Sequence, residues 1–204
     1  MPVLSESMIS GLLEPFLSPV PAELLPRLSI YLDLLVRWNA RTNLTSVRSP
    51  EGIVGRHFGE SLFAARNLGD PLPETLLDLG SGAGFPGLPI ALLHSGVSVT
   101  LAESQNKKAT FLREVVRTLV LPNVEVWADR AEALPEERKF DTVTLRAVDD
   151  MESALAAATQ RATRQILILT TEVPSLPEGF ITEEKVPIPG GGRGYLLRVL
   201  HLKA

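Results

Sequence analysis

The chain has no cysteine among its 204 residues. Disulfides, thiolate zinc sites and cysteine nucleophiles are therefore excluded together. Histidine is scarce as well: His57, His94 and His201 stand far apart, without metal-ligand spacing. No apolar run reaches the roughly 18 residues of a membrane span. The opening MPVLSESMIS lacks the basic and apolar regions of a secretory leader. These absences predict a cytoplasmic protein with no membrane contact and no metal. A basic surplus is missing too: with a net charge of −4, any nucleic-acid partner would have to be held by a local patch.

What is present is ordinary globular material, 45% hydrophobic and 22% charged. A chain of this length buries roughly 70% of its unfolded surface without staples. Charge is unevenly spread. Met1 to Pro26 holds three acids (Glu6, Glu14, Glu23) and no Lys or Arg, whereas Arg27 to Arg66 holds six arginines, Arg41 among them, against three acids. Arginine without lysine suits forked recognition of phosphates or base edges, although a solvated helix face reads the same.

Leu24, Leu25, Leu28, Tyr31, Leu32, Leu35 and Trp38 are spaced by threes and fours and predict a helix starting near Pro26. Ser49-Pro50-Glu51 predicts a second, with a capping serine and proline at the first position. It should run past Leu62, against the weakening effect of Gly52, Gly55 and Gly59. Residues 1–70 thus read as a helical cap, and 71–204 as a second unit of different rhythm. Strands are expected at TLLDL (75–79), VSVTLAE (97–103), NVEVWAD (123–129), FDTVTLR (140–146) and RQILILT (164–170). Helices are expected between them, one through PIALLHS, one over 105–119 capped by Ser104, one over 147–163. Such alternation means a mostly parallel, doubly wound sheet. FITEEKVPI and YLLRVLHLK (195–203), joined by a glycine-containing loop, add a hairpin-like end, for seven strands in all.

The turn after the first strand, LLDLGSGAGFPG (76–87), fits two glycine patterns. GAGFPG matches the G-x-G-x-x-G of dinucleotide sites, and DLGSGAG matches the D-x-G-x-G-x-G of S-adenosylmethionine sites. Glu103, 23 residues past Gly80, can accept ribose hydroxyls in either case. Register separates them. The strand ends at Leu79, so Gly80 makes the turn, the dinucleotide match starts two residues late, and Pro86 interrupts its phosphate helix. The cofactor reading is therefore S-adenosylmethionine ahead of NAD or a purely structural turn. Asp78 would orient the loop or reach the amino group of a methionine moiety.

Absences then narrow the chemistry. Methylation at pyrimidine C5 uses a cysteine, which is missing. Exocyclic amines are commonly methylated beside an Asn/Asp-Pro-Pro-aromatic turn, and no Pro-Pro pair occurs. What remains is a substrate already nucleophilic enough, or a hydroxyl or carboxyl needing modest help. Guanine N7 is of the first kind, because its in-plane lone pair carries no proton; for it, positioning and exclusion of water suffice. A small-molecule methyltransferase and a non-enzymatic S-adenosylmethionine-binding regulator remain as competing classes.

RWNARTNLTSV (37–47), GRHFGESL (55–62), LLDLGSGAGFPGLPIAL (76–92), ESQNKKATFLREV (103–115), ADRAEAL (128–134) and LRAV (145–148) occur in this order. In this the chain resembles the RsmG (GidB) family, bacterial methyltransferases acting on guanine N7 of 16S ribosomal RNA. The WN-x-x-x-NLT and RHF segments carry more specificity than the glycine loop. The resemblance spans roughly residues 24 to 203 and implies a class I S-adenosylmethionine-dependent methyltransferase fold with an N-terminal helical cap, working as a monomer on 16S RNA or the small subunit. It implies that Gly80, Gly82 and Phe85 line the cofactor, that Glu103 takes the ribose, and that Ala131 and Glu132 contact adenine. Arg146 would serve both cofactor and substrate, and Asn43, His57, Arg130 and Arg193 match polar positions facing the RNA site. Arg146, Asn43 and His57 are the catalytic candidates, and Arg130, Arg193 and, from the arginine-rich stretch, Arg41 the RNA-binding ones. Simpler roles compete: Asn43 as a helix-end cap, His57 as a structural residue, Arg130 as an ion-pair partner of Glu132 or Glu136. Where the family usually has Lys-Gly after strand five, this chain has Thr170-Thr171.

Overall fold

Alternating buried strands and helices assemble into one seven-stranded sheet in the computed structural model, which describes residues 2–148 and 150–201. The strands are β1 (Thr75–Leu79), β2 (Ser98–Ala102), β3 (Val124–Trp127), β4 (Phe140–Arg146), β5 (Ala162–Thr170), β6 (Phe180–Pro187) and β7 (Tyr195–His201). Their order across the sheet is β3-β2-β1-β4-β5-β7-β6. The first five are parallel, and β7 inserts antiparallel between β5 and β6. This is the expected doubly wound sheet with a hairpin end. The last two residues of the expected final strand, 202–203, lie outside the described residues.

Side chains alternate across the sheet with the period of two that strand geometry imposes. Leu76, Val99, Leu101, Leu167 and Leu169 join one core cluster with the N-terminal helices. Leu77, Val143, Leu145, Ile166 and Ile168 join the other. Parallel register sets Leu79 beside Ala102 on one side and Leu145 on the other. The next residue of each segment, Gly80, Glu103 and Arg146, therefore emerges along one carboxyl edge. Strand order reverses at β1, and ligands of doubly wound sheets bind in the crevice at such a point.

The helices are α1 (Glu6–Leu13), α2 (Leu24–Thr42), α3 (Pro50–Gly52), α4 (Glu60–Arg66), α5 (Gly87–Leu93), α6 (Asn106–Thr118) and α7 (Met151–Arg161). The α2 stripe is buried as patterned, with Leu24, Leu28, Tyr31, Leu32 and Leu35 all inside. Trp38 sits at the α2–α6 interface, edge-on to Phe111 and donating from Nε1 to Glu114 at 3.0 Å. Ser49 caps α3, its hydroxyl accepting from Gly52 N at 3.2 Å.

Four local features differ from expectation. Helix α1 escapes the pattern because its eight residues bury only Ile9 and Leu13. Between α3 and α4 the chain forms a π-helix, Ile53–Gly59, so Gly55 and Gly59, two of the three glycines that weaken an α-helix, lie where the coil widens. There Gly59 lets the Phe16 ring come so near that an added Cβ would stand 2.5 Å from it. Ser104 does not cap α6; the cap is Gln105, whose N–H donates at 2.7 Å to the Glu103 carboxylate instead. The helix over 147–163 is shorter, because Ala147 takes a left-handed conformation (φ 52°), Asp150 caps α7 and Ala162 already belongs to β5. Its residue 149 lies outside the described residues.

Candidate active site

The glycine turn leaves β1 at Leu79, as register requires, and Gly80, Gly82 and Gly84 all have positive φ (73°, 59° and 96°). Only glycine adopts this run without strain. Gly80 N and Ser81 N both donate to Ala102 O at 3.0 Å, which ties the turn to the end of β2. Asp78 lies beneath it, 1% exposed. One oxygen accepts from Gly87 N at 3.0 Å and the other from the Thr144 hydroxyl at 2.9 Å. Burial pushes the Asp78 carboxyl up to about 6, while these hydrogen bonds and the Arg146 charge oppose the rise. Through Gly87 N it holds the end of the loop.

Glu103 is buried just past β2. Its two oxygens accept from Gly82 N at 2.9 Å and Gln105 N at 2.7 Å, which leaves a lone pair on each. A Cβ built on Gly80 would meet nothing within 4 Å, so there is open space beside the turn. Bare glycine backbone, open space and a fixed carboxylate suit the methionine and ribose parts of S-adenosylmethionine. Ala131 and Glu132 form a 3-10 turn (Ala131–Ala133) beyond β3, Ala131 buried and Glu132 exposed.

Two residues that shape these walls were given no role by sequence reasoning. Tyr31, fully buried on α2, donates a short hydrogen bond to Ala83 O in the turn. Burial and the nearby Asp78 charge raise its hydroxyl well above the usual tyrosine range, so it stays a donor. Arg161, at the end of α7 and 5% exposed, has no carboxylate partner among the described residues. It donates instead to the carbonyls of Glu132, Leu134, Pro135 and Arg138 and so fixes the segment after Ala131. Periodicity could mark Tyr31 only as core, and Arg161 carries no local signal.

Arg146 joins the cofactor side to the cap. Its Nη2 donates to Glu60 Oε2 at 2.8 Å, to His57 Nδ1 at 2.9 Å and to Arg56 O at 3.3 Å. Its guanidinium lies 5.8 Å from the Phe85 ring centroid. Because arginine can only donate, His57 Nδ1 accepts, and Nε2 carries the proton toward Thr45 Oγ1 at 2.6 Å. Burial, Arg146 and Arg56 together lower His57 to about 3. The imidazole is neutral, and both of its nitrogens are engaged. Phe85 packs between His57 and Tyr31, with centroids 5.0 and 5.6 Å away, so its 5% exposed ring pins the turn to the cap.

A cavity of about 780 Å³ opens beside Arg146, at the carboxyl ends of β4 and β5. Arg56, Glu60 and Thr170 line it, and Arg193 projects from the glycine loop opposite. Arg146 thus contacts His57 and Phe85 and shares the cavity wall with Arg193. Asn43, Arg41 and Arg130 are not brought there. Asn43 ends α2 in the left-handed region (φ 49°), exposed, its Oδ1 accepting from Arg48 at 2.7 Å, which is the capping alternative. Arg41 and Arg130 are exposed and do not line the cavity. Arg130 forms no ion pair with Glu132 or Glu136. Thr170 takes the place of the usual lysine, its hydroxyl donating to Glu172 O at 2.8 Å.

Comparison with known proteins agrees with this architecture. A family model described as rRNA small subunit methyltransferase G (GidB) matches residues 24–175. Ribosomal RNA small subunit methyltransferase G of Stenotrophomonas maltophilia is 39% identical over 188 residues, covering 87% of each chain. The protein of the same name from Chromobacterium violaceum is 39% identical over 173 residues, 81% of this chain and 80% of that one. Among solved structures, MtNAS in complex with S-adenosylmethionine superimposes with a TM-score of 0.62 at 15% identity, over 90% of this chain and 80% of that chain. The glycopeptide N-methyltransferase MtfA gives 0.58 at 14% identity, over 71% and 94%. At such identities the structural matches speak for the fold.

Proposed function

Because this chain belongs to the rRNA small subunit methyltransferase G family, we propose that it transfers the methyl group of S-adenosylmethionine to N7 of a specific guanine in 16S ribosomal RNA. When bound, the cofactor supplies an electrophilic methyl on a sulfonium. Gly80, Gly82 and Asp78 would hold its methionine part, Glu103 would accept from its ribose hydroxyls, and Ala131 and Glu132 would contact its adenine. The observation that carries the reading is Arg146. It stands between the glycine turn and the 780 Å³ cavity, fixed by Glu60 and His57.

Guanine N7 has a lone pair in the ring plane and no proton to lose, so the site needs geometry rather than a base. His57 fits that requirement: neutral, with both nitrogens bonded, it holds Arg146 and abstracts nothing. Arg146 positions the flipped nucleotide, and Arg193 and Arg56 receive its flanking phosphates. Asn43, Arg41 and Arg130 lie on outer surfaces and would meet RNA further from the reacting base. In this reading residues 1–70 are the RNA-facing cap and 71–204 the methyltransferase unit. The enzyme acts as a monomer in the cytoplasm, on 16S RNA or the small subunit and away from membranes. Mapping N7-methylguanosine in 16S RNA from cells with and without this protein tests the reading. One N7-methylguanosine should vanish with the protein, and an unchanged map would overturn it.

A further inference from the structure

Three arginines line the cavity, Arg56, Arg146 and Arg193, and among the described lining residues Glu60 is the one carboxylate. It is the first residue of α4, where the π-helix ends. Its Oε2 takes both Arg146 bonds, from Nη2 at 2.8 Å and Nε at 3.3 Å. Its Oε1 makes no hydrogen bond among the described residues, and the side chain is 25% exposed. A carboxylate held by one oxygen thus offers the other to whatever enters the cavity.

We propose that Glu60 reads the target base, accepting hydrogen bonds from N1–H and the 2-amino group of guanine while Arg146 holds the carboxylate in place. This rests on the guanine N7 reading above. Of the four RNA bases, guanine alone presents two adjacent donors on its pairing edge. Adenine and cytosine put a ring acceptor there, and uracil flanks its one N–H with carbonyls, so an anionic acceptor rejects all three. A grip on this edge leaves N7, on the opposite rim of the purine, free to meet the methyl group.

The arrangement also favours the reaction itself. As the new C–N bond forms and the C–S bond breaks, positive charge passes from sulfur to the purine, and N1–H becomes a stronger donor. The hydrogen bonds to Glu60 therefore tighten in the transition state more than in the ground state. Arg146 cannot stabilise a cationic base; Glu60 can.

Two 16S RNAs, identical except for guanosine or inosine at the mapped target, test this. Inosine keeps N7 and N1–H and lacks the 2-amino group. The wild-type enzyme should methylate the inosine RNA with kcat/KM at least about tenfold lower. Glu60→Ala should be slow on guanosine RNA and should treat the two RNAs within about twofold of each other. Glu60→Asp, which keeps the carboxylate, should keep the preference at reduced rate. If Glu60→Ala turns over too slowly to measure, the ratio of its Kd values for the two RNAs is read against the same criterion. Equal use of both RNAs by the wild type, or a full inosine penalty in Glu60→Ala, overturns the proposal and leaves Glu60 a support for Arg146. Failure of the wild type to form N7-methylguanosine on the guanosine RNA would instead sink the underlying reading.

Discussion

Asp78 shows at the scale of one residue how this site trades stability for a shaped loop. Its carboxylate is buried with hydrogen bonds from Gly87 N and Thr144 Oγ1 and no counter-ion in contact. Burial raises its pKa from the ordinary 3.8 to about 6. The folded protein therefore binds this proton more tightly than the unfolded chain. Its contribution to stability is fully present below about pH 4 and is lost as pH rises through 6, a cost of about 3 kcal/mol at neutrality. Asp78→Asn should remove that slope. Urea denaturation of both proteins at pH 4.5 and 7.5 isolates the effect, because other carboxylates cancel in the difference. The Asn variant should gain on the order of 1–3 kcal/mol relative to wild type between the two pH values, and an unchanged difference would contradict the assignment. The same variant should bind S-adenosylmethionine more weakly, since an amide holds Gly87 N without the full negative charge. Stability lost at a functional site is a familiar exchange.

At the scale of elements, what sequence could reveal depended on how local each signal is. The glycine turn and Glu103 were legible because a strand, a turn and the next strand end lie within a short stretch and obey one register. Arg146 was legible as the residue closing β4 at the same edge. Tyr31, Glu60 and Arg161 were not, because their partners Ala83, Arg146 and Leu134 lie 52, 86 and 27 positions away. No spacing rule relates such residues. The π-helix escapes the pattern for a physical reason: Gly59, which lowers α-helical propensity, is the position against which the Phe16 ring packs. Arg161 gives the element-scale prediction. It is a buried guanidinium spread over four carbonyls of the segment 132–138. Arg161→Met removes the donor from Glu132 O, Leu134 O and Arg138 O, while Pro135 O keeps the Arg138 N–H. We expect a loss of roughly 2–4 kcal/mol. Hydrogen exchange should accelerate first within 131–138, and affinity for S-adenosylmethionine should weaken about tenfold with kcat at saturation little changed. An equal fall in kcat and in affinity for RNA would mean that Arg161 supports the whole fold rather than the segment proposed to meet the adenine.

Over the whole molecule, a net charge of −4 must coexist with binding to a polyanion. Local arrangement resolves the conflict. Arg56 and Arg193 flank the cavity on opposite elements, the π-helix and the glycine loop before β7, while Arg41 and Arg130 are exposed beyond it. Acids elsewhere keep nonspecific RNA from accumulating, so binding should be selective and yet depend strongly on salt. Each phosphate neutralised on single-stranded RNA contributes about 0.7 to the slope of log K against log salt. Four such arginines predict a slope near −3 for RNA, against a nearly flat dependence for S-adenosylmethionine. Arg193→Ala should lower the RNA slope by about 0.7 and leave cofactor affinity unchanged, because Arg193 lines the cavity beside Arg146, which no residue of the glycine turn lines. Titrations of 16S RNA and of cofactor at several potassium chloride concentrations measure both quantities. A flat RNA slope would mean that the arginines are incidental surface charges and would favour a small-molecule substrate. A steep slope that Arg193→Ala does not alter would place the RNA on another face of the protein.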